Sequence, residues 1–176
     1  MPALQNPVLS VLADDTVSSD RFVCEHALSI LIRLRNGKRW LFDTGTTDVY
    51  LENAKRLGER LDGLSGIVIS RGHEDHTGGL MFYPRLKGKP PVFGHPYIWH
   101  KSYQVRPDKP LRITGIPYMS RMYVSPVFVP VNNTKQLDEN LFFFTDIPRE
   151  EGSFAPTQGN FFNEDGTGPV PLIDDG

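Results

Sequence analysis

Ile69-Ser70-Arg71-Gly72-His73-Glu74-Asp75-His76-Thr77-Gly78-Gly79-Leu80 is the stretch from which the rest of the chain can be read. A short apolar run, Gly66 to Ser70, is the kind of strand that is buried on both faces. It delivers two imidazoles and two carboxylates into a glycine-bounded loop within four residues. Neutral imidazole and carboxylate are ligands suited to Zn²⁺ and its first-row neighbours. Loops at strand ends are where rigid scaffolds place reactive groups. The residues alone leave a second reading open, a solvated polar turn that happens to contain two histidines.

Working back from this loop, Tyr50, Ala54, Leu57 and Leu61 recur at helical spacing, with Lys55, Arg56, Glu59 and Arg60 outward. The spacing predicts an amphipathic helix from Tyr50, closed by Gly63 and preceded by N-cap candidates in Gly45-Thr46-Thr47-Asp48. Before it, Ala27 to Leu34 alternates, with Leu28, Ile30, Ile32 and Leu34 on one side and Ser29, Leu31 and Arg33 on the other. Asn36-Gly37 then turns the chain into Arg39–Phe42, a hairpin signal. Pro7 to Leu12 reads as a first strand. Beyond the loop, Pro91–Gly94 and Leu141–Thr145 read as strands. Tyr123–Val131 reads as β-prone, but Pro126 and Pro130 confine it to an edge or an extended segment. Residues 146–176 read as mostly loop.

The whole sequence fits one α/β domain. Its 176 residues hold 19 basic and 21 acidic side chains, net −2, which gives no electrostatic footprint for nucleic acid or for a membrane surface. No run approaches the roughly 20 apolar residues of a membrane span, and the N-terminus lacks a secretory pattern. A single cysteine, Cys24, excludes an internal disulfide and suits a reducing compartment, so the expected location is cytoplasmic. Cys24 reads as a small buried hydrophobe, and His95 and His100 as surface residues of an aromatic-rich stretch.

The loop resembles the His-x-His-x-Asp-His motif of the metallo-β-lactamase superfamily, which follows a buried strand and is commonly extended by Thr-Gly-Gly. The family's upstream Asp-Thr-Gly is matched by Asp43-Thr44-Gly45. Cys24-Glu25-His26-Ala27-Leu28-Ser29 and Phe144-Thr145-Asp146-Ile147-Pro148-Arg149 resemble segments of one branch. That branch includes the methanopterin-pathway dihydropteroate-synthase-like and small phosphodiesterase-like proteins. The similarity runs in order over residues 8–150. It implies the N-terminal half of an αββα sandwich, a mixed sheet with flanking helices, over 1–150, followed by an irregular tail over 151–176. It also implies metal-dependent hydrolysis of ester or phosphodiester-like bonds in a small-molecule substrate, with Zn²⁺ or another divalent metal as cofactor.

Carried over residue by residue, His73 falls to one metal subsite and Asp75 and His76 to the other. Asp75 is the motif carboxylate and the candidate catalytic group. Asp43 orients the loop or a ligand histidine, the alternative being a simple turn aspartate. Two departures stand out. Arg71 replaces the first histidine of the motif, and a guanidinium has no lone pair to give a cation. At about 4 Å and an effective dielectric near ~20, one like-charge pair is worth about 4 kcal/mol. The other departure is length, because the full sandwich is longer than this chain and takes further ligands from its second half. The resemblance therefore implies weak or absent metal binding and impaired hydrolysis in the isolated chain. Arg71 is then either a substrate contact or a solvent-directed side chain, and His26 either a substrate contact or a buried structural histidine. The alternative function is a non-catalytic binding or assembly module. An uncovered sheet face makes the expected partner a second copy or a separate second half.

Overall fold

The computed structural model describes residues 6–101, 103–104, 109–110, 112–147 and 161–162. Strands β1 (Val8–Ala13), β2 (Ser29–Arg33) and β3 (Arg39–Phe42) form an antiparallel meander, with Asn36-Gly37 at the second turn. Helix α1 (Val49–Leu57) carries the chain back to β4 (Gly66–Ile69), which runs parallel to β3. The loop helix α2 (Glu74–Thr77) follows, then β5 (Val92–Gly94), parallel to β4. Two-residue strands β6 (Tyr103–Gln104) and β7 (Arg112–Ile113) lead to α3 (Tyr118–Val124) and to β8 (Phe128–Pro130), the parallel edge strand beyond β5. The six-stranded mixed sheet has the order β1-β2-β3-β4-β5-β8. A separate hairpin is formed by β9 (Thr134–Asp138) and β10 (Leu141–Phe144). Of the stretch expected as a tail, only β11 (Phe161–Phe162) lies within the described residues, and it pairs with β6.

Register assigns the two sheet faces. Leu31, Leu41, Ile67 and Val92 are lateral neighbours across four strands and are fully buried, beneath Tyr50 and Ala54 of α1 and Val124 of α3. The opposite face carries Trp40, Val68 and Phe93, packed against Phe143 and Leu141 of the hairpin. Gly66 is required there, since a Cβ would lie 2.4 Å from the Trp40 ring and 2.8 Å from the Phe93 ring. Further along this face the cover stops, and Leu9 and Val11 are 64% and 52% exposed.

Three expectations are corrected. Helix α1 ends at Leu57, not at Gly63, because Gly58 takes the left-handed φ of 74° and its N–H bonds back into the last turn. Leu61 therefore lies outside the helix, though still buried, and Leu57 is exposed. Tyr123 and Val124 belong to α3, where Ser120 and Val124 bury one helical face, and only Phe128–Pro130 is strand. Cys24 is exposed.

Asp138 ties the hairpin to the β2–β3 turn. Its carboxylate meets the Lys38 ammonium at 2.9 Å and accepts from Asn36 Nδ2 at 2.9 Å. The Lys38 contact, outweighing burial, holds the carboxyl down at about 2. Because the folded value is depressed, this stabilisation is present above the ordinary carboxylate range and lost as pH falls from about 4 toward 2. Lys38 is largely in solvent, so Asp138→Asn is expected to cost about 1 kcal/mol at neutral pH. Urea unfolding at pH 7 and pH 3 checks this, the difference between variant and parent shrinking at the lower pH.

Candidate active site

Two loops leave the C-terminal ends of the parallel neighbours β3 and β4, the end of an open α/β sheet where ligands bind. They are laced together by backbone. Asp43 N–H donates to Val68 O (2.8 Å), Thr44 N–H to His76 O (2.9 Å) and Gly79 N–H to Gly45 O (2.9 Å). The Thr44 hydroxyl donates to the same His76 carbonyl at 2.9 Å. Asp43 has φ 55°, a conformation that aspartate tolerates better than most residues, and this turns its carboxylate back beneath the second loop.

The buried Asp43 carboxylate accepts from Ser70 N–H (2.8 Å) and Ser70 Oγ (2.7 Å), and its Oδ2 lies 2.7 Å from His76 Nδ1. The other imidazole nitrogen, Nε2, lies 3.2 Å from Asp75 Oδ2. His76 thus bridges two carboxylates. Burial pulls its imidazole down, but the bonds to Asp43 and Asp75 outweigh burial and hold it up at about 9. Burial likewise pushes Asp75 up, and the His76 bond with the charges of His76 and Arg71 overrides it, keeping the carboxyl well below its usual range.

Arg71 Nη2 and His26 Nε2 each lie 3.7 Å from Asp75 Oδ2. His26 is exposed, not buried, and its Nδ1 is 2.9 Å from Asp15 Oδ1. His73 stands at the N-terminal boundary of α2, where its carbonyl accepts from the N–H groups of His76 and Thr77 and from the Thr77 hydroxyl. Asp43, Arg71, Asp75, His76 and His26 are therefore brought together. No group of three His, Cys, Asp or Glu among the described residues is arranged to hold a metal ion.

Sequence reading passed over three supporting residues. Ser70 satisfies Asp43, while Glu25 accepts from the N–H groups of Thr46 and Thr47 (3.0 and 3.1 Å) and fixes the turn before α1. Glu74 pairs with Arg112 and joins α2 to β7. His95 is not a surface residue. It is largely buried, with Nε2 3.4 Å from Asp146 Oδ1, while His100 is exposed and stacks on Tyr97 with ring centroids 3.8 Å apart. The Pro96–Trp99 turn packs on the loop at Gly72, where a Cβ would meet the Ile98 carbonyl at 2.5 Å.

The metallo-beta-lactamase superfamily model matches residues 23–165. The chain belongs to the metallo-beta-lactamase superfamily. A solved metal-dependent hydrolase of the beta-lactamase superfamily superposes with a TM-score of 0.71 at 30% identity, covering 95% of this chain and 58% of that one. The 7,8-dihydropterin-6-methyl-4-(beta-D-ribofuranosyl)-aminobenzene-5'-phosphate synthase of Methanocaldococcus jannaschii is 35% identical over 111 residues, 60% of this chain and 38% of the relative. Ribonuclease J of Mycobacterium tuberculosis is 26% identical over 101 residues, 57% of this chain and 16% of the relative. The chain thus spans less than two thirds of the length of each. The superfamily is metal-dependent, typically on zinc. The residues described here do not fit such an ion as they stand. A permanently protonated guanidinium faces the Asp75 carboxylate, and no three His, Cys, Asp or Glu among the described residues are grouped to hold an ion.

Proposed function

We propose that this superfamily chain carries one side of a hydrolase-type centre acting on ester or phosphodiester-like bonds of a small molecule, with low activity when it acts alone. The observation that carries the reading is the line Asp43–His76–Asp75 at the ends of two parallel strands. Asp43 fixes the ring plane of His76, and His76 holds Asp75 ionised. Arg71 and the exposed His26 offer positive edges to an anionic substrate group. His73, Asp75 and His76 are this chain's contribution to the family's ligand set. A zinc or similar divalent ion needs further ligands beside them. A lone cysteine suits a reducing compartment, and the proposed location is cytoplasmic.

The test is turnover of bis-p-nitrophenyl phosphate. The parent chain is expected to be slow, and Asp75→Asn or His76→Asn to remove about a hundredfold of whatever rate it shows, the scale of a positioned acid–base group. A rate untouched by both variants would remove these residues from the chemistry.

A specific observation favours a second reading, an assembly module. The exposed Leu9 and Val11 lie on β1, an edge strand with no charged residue. Edge strands are ordinarily blunted by charge, proline or bulges; β1 shifts register between Val11 and Ala13 but carries no charge, and its exposed apolar side chains favour cover by another chain. On this reading the chain is a homo-oligomer in solution, and Val11→Asp shifts it to monomer with an unchanged circular dichroism spectrum. Light scattering decides, a monomeric parent at tens of micromolar being the contrary result.

A further inference from the structure

Arg71 precedes Asp75 by four residues, and its guanidinium turns onto that carboxylate at 3.7 Å. A solvent-directed arginine would leave its Nε in water. Here Nε is buried and has no hydrogen-bond partner, so the side chain is held inward although its tip is partly exposed. The groups facing the same point are His76 at 3.2 Å and His26 at 3.7 Å, with Asp43 and Ser70 behind His76 and Asp15 behind His26. Two carboxylates, Asp43 and Asp75, are thus set among groups of which only the guanidinium is charged at every pH. Removing it leaves the His76 imidazole to balance two carboxylates, Asp43, which is buried, and Asp75, which is only 15% exposed.

We infer that Arg71 is the built-in countercation of the Asp75–His76 loop. It supplies the positive charge that a divalent ion would supply at a complete ligand set, and the two exclude one another. The loop's order is therefore independent of metal. The inference rests on the assignment of Asp75 and His76 to the family's ligand set. Its test reads stability, so hydrolysis can fail while it stands.

The experiment is thermal unfolding of the full chain in EDTA and in excess Zn²⁺, for the parent and for Arg71→Lys, Arg71→Met and Arg71→His. The parent is expected to melt at the same temperature in both. Arg71→Lys, which keeps the charge, stays close to it. Arg71→Met, which keeps most of the volume, melts lower by about 2–4 °C or more. Arg71→His melts lower in EDTA and recovers with zinc, because a ligand now stands where the cation stood. If Arg71→Met fails to fold while Arg71→Lys melts normally, the requirement for charge is shown more strongly. A parent melting temperature that rises with zinc, or an Arg71→Met chain that melts with the parent, overturns the inference.

Discussion

Gly79→Ala is expected to unfold the chain or to weaken it by about 3 kcal/mol, the upper end of an overpacking penalty. A Cβ at this position would lie 2.0 Å from the Thr44 carbonyl oxygen and 2.9 Å from the Thr44 Cβ. Neither side can retreat. Gly79 N–H is bonded to Gly45 O, and Thr44 is held by its own N–H and hydroxyl on His76 O. The neighbouring Gly78 is equally tight, its Cβ position 2.2 Å from Thr46 O. The Asp-Thr-Gly turn and the Thr-Gly-Gly turn are thus two halves of one backbone contact. Urea unfolding gives the measurement, with Gly37→Asn as control. Gly37 also has a positive φ, 82°, but nothing within 4 Å of its Cβ position, and asparagine tolerates that backbone. The control should cost under about 1 kcal/mol. Equal losses at both positions would show that the two turns do not interlock.

Asp43→Ala should cost about 3–5 kcal/mol, the range for breaking a buried ion pair from one side. Three donors converge on this carboxylate: the Ser70 amide, the Ser70 hydroxyl and His76 Nδ1. Alanine strands all of them and must also adopt a φ of 55°. Asparagine accommodates the backbone and keeps one acceptor, so Asp43→Asn is expected to lose about 2–3 kcal/mol. In the same variant the His76 imidazole should titrate nearer its ordinary 6.5 than the value of about 9 that it reaches between two carboxylates. Chemical denaturation and histidine NMR report these effects separately. A variant as stable as the parent would reduce Asp43 to a turn residue.

These two residues also show what a sequence reader can see. Asp43-Thr44-Gly45 and Thr77-Gly78-Gly79 are legible through the family resemblance, and the structure gives the physical reason: Gly45 takes a φ of 71° against the Glu25 side chain, while Gly78 and Gly79 meet the backbone of Thr46 and Thr44. The hairpin and the strand–helix–strand unit were legible for the local reason that Asn36-Gly37 and a helical period announce themselves. The end of α1 was misplaced because Gly58 and Gly63 both offer a left-handed stop, with φ of 74° and 68°, and an apolar Leu61 lies between them. Helix α3 was hidden by the prolines and β-prone residues that follow it, although Ser120 and Val124 carry its buried period. Arg71 was recognised as a lost ligand, but its turn onto Asp75 depends on burial of its Nε, which no local pattern encodes. The same holds for His95 and Asp146, partners 51 positions apart in the sequence.

In the proposed function, His73, Asp75 and His76 are part of the family's ligand set, and Arg71 opposes a bound cation. Equilibrium dialysis of the purified chain against zinc at micromolar free concentration tests that most directly, with Arg71→His dialysed alongside. The expected result is far less than one zinc per parent chain and a clear gain in the variant. One or more zinc ions held by each parent chain and retained through mild chelation would contradict the account, because His73, Asp75 and His76 would then form a working set despite the guanidinium beside them.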